Sequence, residues 1–269
     1  MGRPPKTTIM KNTCMALFLL LFLSIDLAGQ EIYPYRDRDG KFGYKEKSGK
    51  IVIPAQYDRA FNFSEGLAVV VIDGMAGYID PKGRLEIAAG FDMAGSFSQG
   101  LAGVKIDGKW GFIDKAGELV IPCRYDNVWA FSNGQAKVKV AGKYGTIDKS
   151  GRYVIPARFE ALWFFSEDLA RIKLSGKYGY IDKNGDIVIP CQYDEIISLG
   201  HRYIVKRDKK FGVYNQYGST ILPCQFQKIE CLNNGHYVTT RDKSQQVYNA
   251  YGALLENRTN MKVVFSTED

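Results

Sequence analysis

Two histidines, five cysteines and several sets of recurring serines and carboxylates are the groups with which this 269-residue chain could do chemistry. Hydrolysis would need a nucleophile, a base and a group to orient the base. His201 and His236 stand 35 residues apart, in the least regular part of the chain. Ser64, Ser98, Ser132 and Ser166 recur in one local context, "FS", which points to turn geometry rather than to one catalytic centre. Asp58, Asp126, Asp194 and Glu160 could supply paired carboxylates for glycoside chemistry. Their recurrence at one position favours a structural bond to backbone. "RDRDGK" at 36–41 has the alternating Asp of a calcium loop but no following ligand set or Glu. It reads as a strand end and turn. Without a C-x-x-C, two histidines give zinc little to bind. The sequence therefore predicts no enzyme, no catalytic residue, no metal site and no cofactor. A catalytic centre, were there one, would gather non-repeated polar residues around His201, Arg202 and His236.

Cys123, Cys191 and Cys224 each follow a proline, and Cys231 lies apart. An exported context would permit a Cys191–Cys224 disulfide. The reading favoured here is a small buried slot, filled by Ala55 and Ala157 in other copies. Phe61, Trp129 and Trp163 share one position, and the two tryptophans are the candidate ligand-binding residues, as a stacking platform for sugars or peptides. They lie two residues before Phe63, Phe131 and Phe165, and alternate residues of a strand share a face. On that ground the favoured reading puts them in the core.

The elements that hold these groups come from an internal repeat. An aromatic–Gly pair marks anchors at Gly43, Gly77, Gly111, Gly145, Gly179 and Gly212, with Gln246 in a seventh, degraded place. The spacing is 34 residues, once 33. Three residues after each anchor stands an acid or amide: Glu46, Asp80, Asp114, Asp148, Asp182, Asn215 and Asn249. Six after it stands Gly49, Gly83, Gly117, Gly151, Gly185, Gly218 or Gly252. Eleven after it stands Pro54, Pro122, Pro156, Pro190 or Pro223. Asp-x-x-Gly frames a turn in which Asp bonds forward and Gly takes positive φ. Flanked by "GYI" and "xIVIP", it predicts a β-hairpin whose second strand the proline ends. A "QYD"-type bend and a third strand such as "LAVV" follow. Each unit is thus three short strands, with no helical periodicity.

"KWGFIDKAGELVIPCRYD…FSNGQAKV" and its sister copies resemble WG repeats, also called KWG-type repeats, of exported bacterial proteins. The resemblance implies β-rich repeats and brings no catalytic residues with it. It departs locally: "MAG" at 75–77 lacks the aromatic and "EIAAGFD" the proline. The predicted fold is all-β, a tandem array of three-stranded repeats over 31–256, with six full repeats and terminal part-repeats. The favoured form is an open or superhelical array. "IYPYRDRDG" before Gly43 matches a third strand, and the chain ends on a lone hairpin, so a composite unit could instead close a seven-bladed propeller. Thirty-four residues are few for a blade, which takes about 40–50.

Arg3, Lys6 and Lys11 precede the apolar run Met15–Ile25, and small residues follow at Ala28–Gly29. This pattern predicts a signal peptide over 1–30, with Met1 or Met10 as the start. The run is shorter than the roughly 20 residues of a membrane span. A signal anchor is the alternative. Residues 257–269 form a C-terminal tail. Net charge is +7, about +5 beyond residue 30, without a Lys/Arg block. A clustered stripe would be expected for nucleic acid, so that partner is excluded. The expectation is a secreted, periplasmic or cell-surface repeat protein, without catalysis, offering a binding or scaffold surface to a protein or cell-envelope partner. A carbohydrate-binding module is the alternative.

Overall fold

The computed structural model describes residues 31–258, apart from Glu167 and Lys243. The predicted signal peptide and all but the first two residues of the tail lie outside them. The chain divides into the units Met1–Glu31 and Ile32–Asp269, and every described strand belongs to the second. Among the described residues there are twenty-seven strands and no helix, hence none long and apolar enough to cross a membrane.

The strands form seven antiparallel sheets, each from consecutive segments. The first contains β1 (Ile32–Arg36), β2 (Phe42–Glu46) and β3 (Ile51–Tyr57). The second contains β4 (Arg59–Ala60), β5 (Ala68–Ile72), β6 (Met75–Ile79) and β7 (Leu85–Phe91), and the other five repeat its order. Four strands, not three, therefore make a complete sheet. The fourth is a two- to four-residue piece after the "QYD" bend, too short to leave a period-2 pattern. Each sheet also straddles the sequence repeat, joining the third strand of one unit to the hairpin of the next.

Turn chemistry sets the register. Asp73 and Gly74 join β5 to β6 with φ of 50° and 82°, the left-handed pair of a two-residue hairpin loop. Between β6 and β7, Asp80 Oδ1 accepts from the backbone N–H of Lys82 (2.9 Å) and Arg84 (2.8 Å). Proline does not end the outer strand as expected. Pro54 sits inside β3, which continues to Tyr57. The strand lies at the sheet edge, and its register shifts between the Phe42–Tyr57 and Tyr44–Ile53 pairs. An edge bulge needs no N–H from that residue, so proline is tolerated there.

The same bulge explains the anchor glycine. A Cβ on Gly145 would meet Ala157 N at 2.7 Å, because the bulged backbone crosses directly above it. In the last sheet Gln246 pairs regularly with Asn257 between Gln245–Arg258 and Val247–Glu256, and only the shift next to the turn remains. Where the bulge disappears, a side chain fits at the anchor.

Successive sheets are fastened by recurring contacts. Gly83 packs on Ile53, Gly117 on Ile87, Gly151 on Ile121 and Gly185 on Ile155. The Ser64 hydroxyl donates to Phe97 O and Ser98 to Phe131 O, each at 2.7 Å. Rings meet at a tilt or edge-on across the seam, Tyr44 against Phe63 (5.0 Å), Tyr78 against Phe97 (4.9 Å) and Phe112 against Phe131 (4.8 Å). Each such burial contributes about 1.5–3 kcal/mol before entropy is counted.

The array is open. β1 completes the first sheet's hairpin without a strand from the other end, and the last sheet has four strands of its own. The composite unit of a closed propeller is therefore not built. Gly49, the turn glycine of the first sheet, has open space above it, unlike the turn glycines of the six that follow.

Candidate functional site

Most of the chemically capable residues are occupied by structure. Gly108 N–H donates to Asp92 (3.1 Å) and Gly176 N–H to Glu160 (3.1 Å), while Lys41 pairs with Asp58 and Lys109 with Asp126 at 2.6 Å. Lys177 pairs with Asp194 in the same way. These carboxylates brace hairpin turns. "RDRDGK" is a turn as well, with Asp37 accepting from Lys41 N (2.9 Å). All four described cysteines are free, and burial pushes the thiols of Cys123, Cys191 and Cys224 above the ordinary range. Cys191 and Cys224 each lie against the anchor glycine of their own sheet, so the slot reading describes them. His201 and Arg202 line a hollow of about 420 Å³ with Tyr217 and Tyr251. His236 is not among its walls. It sits in a loop where Asn234 receives its N–H (3.0 Å), and Arg202 donates to Gly235 O nearby (2.8 Å). Among the described residues no three His, Cys, Asp or Glu gather as a metal site.

The aromatic position departs from expectation. Phe61 is 46% exposed, Trp163 is 43% exposed and Trp129 is half-buried, whereas Phe131 is buried. The short strand ends one residue earlier, at Ala60, Val128 and Leu162, so the following residues do not alternate faces. Only the first of them keeps a ladder bond. Its N–H donates across to a fixed partner: Phe61 to Val69, Gly95 to Gly103, Trp129 to Lys137 and Trp163 to Arg171, at 2.8–3.0 Å. The facing side chains change together. Gly meets Gly, Phe meets Val, and each Trp meets a cation.

Around the two tryptophans the molecule departs from its own pattern in the middle of the regular copies. At the position after the anchor, Tyr44, Tyr78, Phe112 and Tyr180 place a ring in the seam and the last two copies have Val213 and Val247, but the fourth copy has the polar Thr146. Where Leu67, Leu101 and Leu169 stand, it has Gln135. The Thr146 hydroxyl donates to Gln135 Oε1 (2.8 Å), and Gln135 Nε2 donates to Lys183 O (3.0 Å). With no ring at 146 to meet Phe165, a hollow of about 150 Å³ opens, floored by Gln135 and Thr146 and walled by Trp163 and Phe164. Lys137 lines it too. Its ammonium lies 4.2 Å from the Trp129 ring centre and 4.0 Å from that of Phe164, and donates to Leu162 O (3.3 Å). Burial among those rings holds its pKa below the ordinary lysine value. Such contacts are worth about 0.5–2 kcal/mol. On the other side of Trp163 and Phe164 is a second hollow, of about 400 Å³, lined by Ser166, Arg171, Tyr180 and Ser198. The Arg171 guanidinium lies 4.1 Å from the Tyr178 ring centre, and its buried Nε has no hydrogen-bond partner.

The structure thus brings Trp129 and Trp163 onto one face and adds Gln135, Lys137, Thr146, Phe164 and Arg171, which sequence reasoning missed. The signal was available in the first five copies, column by column: Thr146 among rings, Gln135 among leucines, Phe164 where Asn62, Ser96 and Ala130 stand.

An all-β repeat protein with one differentiated patch is the class these features define. A family model described as WG containing repeat matches residues 42–75, 77–110, 110–144, 144–178 and 178–210. That is more than half of the chain, and the chain belongs to this family. No curated protein matches the sequence. Solved structures it is similar to include the extracellular domain of a candidate one-component system from B. thetaiotaomicron (8% identity, TM-score 0.30, covering 84% of this chain and 41% of that one). Others are Kluyveromyces marxianus Hsv2 (9%, 0.34, 75% and 73%) and BBS1N solved in complex with ARL6DN (12%, 0.37, 84% and 86%). The chain spans less than half the length of the first of these.

Proposed function

We propose that the protein is a non-catalytic, exported binding module whose recognition site is the Trp163–Phe164 ridge and the hollow beside it, and that its partner is a cell-envelope glycan. Export rests on the N-terminal basic and apolar pattern. The observation that carries the binding reading is the polar Thr146 at a position that holds a ring in four copies and valine in two, beside a polar-floored, aromatic-walled recess. A sugar ring has an apolar face that stacks on an indole and hydroxyls that need amide and hydroxyl partners. Trp163 supplies the first, while Gln135, Thr146 and Lys137 supply the second.

Titration of envelope polysaccharide fractions against the protein tests this. Thr146→Tyr, which supplies the ring that four other copies carry, is expected to abolish binding, and Trp163→Ala to weaken it about tenfold or more. Tyr217→Ala, in another repeat, is expected to leave it unchanged. Undiminished binding by both site variants overturns the reading. A protein partner is the second reading, favoured by Phe164, which is 67% exposed. That partner would need the ridge but not the recess, so Phe164→Ala would weaken it and Thr146→Tyr would not.

A further inference from the structure

Among the described residues, the two ends of the array carry the unmatched halves of one contact. Inside the chain, each turn glycine from the second sheet onward seats on the outer strand of the sheet before it. Gly83 meets Ile53 Cγ2 at 3.2 Å, Gly117 meets Ile87 at 3.2 Å and Gly185 meets Ile155 at 3.1 Å, measured to an added Cβ. Gly218 and Gly252 approach the backbone of Val188 and Ile221. The first sheet presents the same turn with nothing to seat on. Glu46 accepts from Ser48 (3.0 Å) and Lys50 (3.1 Å), Gly49 is left-handed at φ 91°, and the space above it is open. The last sheet presents the receptor without a turn. Leu255 stands where Val188 and Ile221 do, and Glu256 where Ile53 and Ile87 do; Leu255 is 54% exposed while Val188 and Ile221 are half-buried beneath Gly218 and Gly252.

We propose that copies of this chain associate head to tail, the Glu46–Gly49 turn of one copy seating on the outer strand Leu254–Arg258 of the next. The occupant is a second copy because the missing piece at each end is a piece the chain itself presents at the other, in a contact it already makes six times. Such an interface joins two different patches, so it extends into rings or filaments rather than stopping at a dimer. It uses neither Trp163 nor the recess beside it, and is independent of the glycan reading.

Covalent trapping of the full-length chain tests it, in a Cys14→Ser, Cys231→Ser background because Cys231 is exposed and Cys14 would offer a further thiol. Lys47→Cys marks the head and Leu255→Cys the tail, both at exposed positions. With a short bismaleimide, a mixture of the two single variants is expected to give crosslinked dimers, and either alone is not. The double variant is expected to give a ladder of multimers. Leu255→Asp, at the exposed receptor leucine, is expected to weaken concentration-dependent sedimentation by about tenfold or more while leaving the unfolding midpoint in place. Absence of head-to-tail crosslinks, head-to-head pairs of equal abundance, or a monomer at every concentration overturns the proposal.

Discussion

The third and fifth sheets answer the same backbone with opposite side chains. In the third, Gly95 N–H donates to Gly103 O at 2.8 Å; in the fifth, Trp163 N–H donates to Arg171 O at 3.0 Å. The ladder bond is the same, so the fold does not require an indole or a guanidinium there. The third sheet fills its seam with the Tyr78–Phe97 pair and leaves this edge bare. In the fifth sheet Trp163 and Arg171 stand over a seam that has lost its ring at Thr146. Residues that repeat carry the frame, and residues that change together carry whatever the frame presents.

The sharpest way to break that distinction is to cut a frame residue beside the patch. Phe131 is buried and meets Phe112 edge-on at 4.8 Å. Phe131→Ala is expected to cost about 3–5 kcal/mol in urea unfolding. Trp163→Ala, half solvent-facing, is expected to cost about 1 kcal/mol or less, with its effect appearing in binding instead. Equal losses would erase the division between frame and patch.

The anchor glycine comes next. Gly145→Ala drives a Cβ into the bulged strand at Ala157 and is expected to cost about 1–3 kcal/mol. Gln246→Ala, where the ladder runs without that bulge, is expected to stay within about 0.5 kcal/mol. This contrast also marks what could be read in advance. Period, turns, β content and anchor positions were all legible, because each depends on local backbone chemistry that a residue type announces. The reason for the anchor was not, since it lies in a strand crossing ten residues later. The fourth strand was missed because two residues show no period. The patch was missed because repetition of Trp129 and Trp163 near a core Phe argued for burial. Only the loss of regular strand after Val128 and Leu162 turns them outward.

Refilling the recess sharpens the comparison from the other side. Thr146→Tyr would restore the seam pair with Phe165. The new hydroxyl would reach Trp163 O, as Tyr44 reaches Phe61 O and Tyr78 reaches Gly95 O, each at 2.8 Å. Unfolding is expected to shift toward greater stability by about 1 kcal/mol even as binding is lost. Stability falling instead would mean that Thr146 belongs to the frame.

The smallest effect lies in the turns, where the chain itself contains the experiment. Five of its seven hairpin turns carry an acid at the bonding position, and the last two carry Asn215 and Asn249. Asn215 Oδ1 accepts from Tyr217 N and Ser219 N at 2.9 Å, the bonds that Asp80 makes to Lys82 and Arg84. Burial pushes the Asp80 carboxyl upward, but the Arg84 N–H, its guanidinium and the Lys82 N–H outweigh this and hold the pKa below the ordinary value. A depressed folded pKa gives stability that is present above the unfolded value of about 3.9 and is lost as pH falls through the folded one. Asp80→Asn keeps the amide bonds and removes the titration. At pH 7 it is expected to unfold within about 1 kcal/mol of the parent, since the Arg84 side chain is 67% exposed and its ion pair adds little. Below about pH 4 its stability is expected to fall less steeply than the parent's. An unchanged acid slope would show that Asp80 acts in the turn by shape alone, as Asn215 and Asn249 already must.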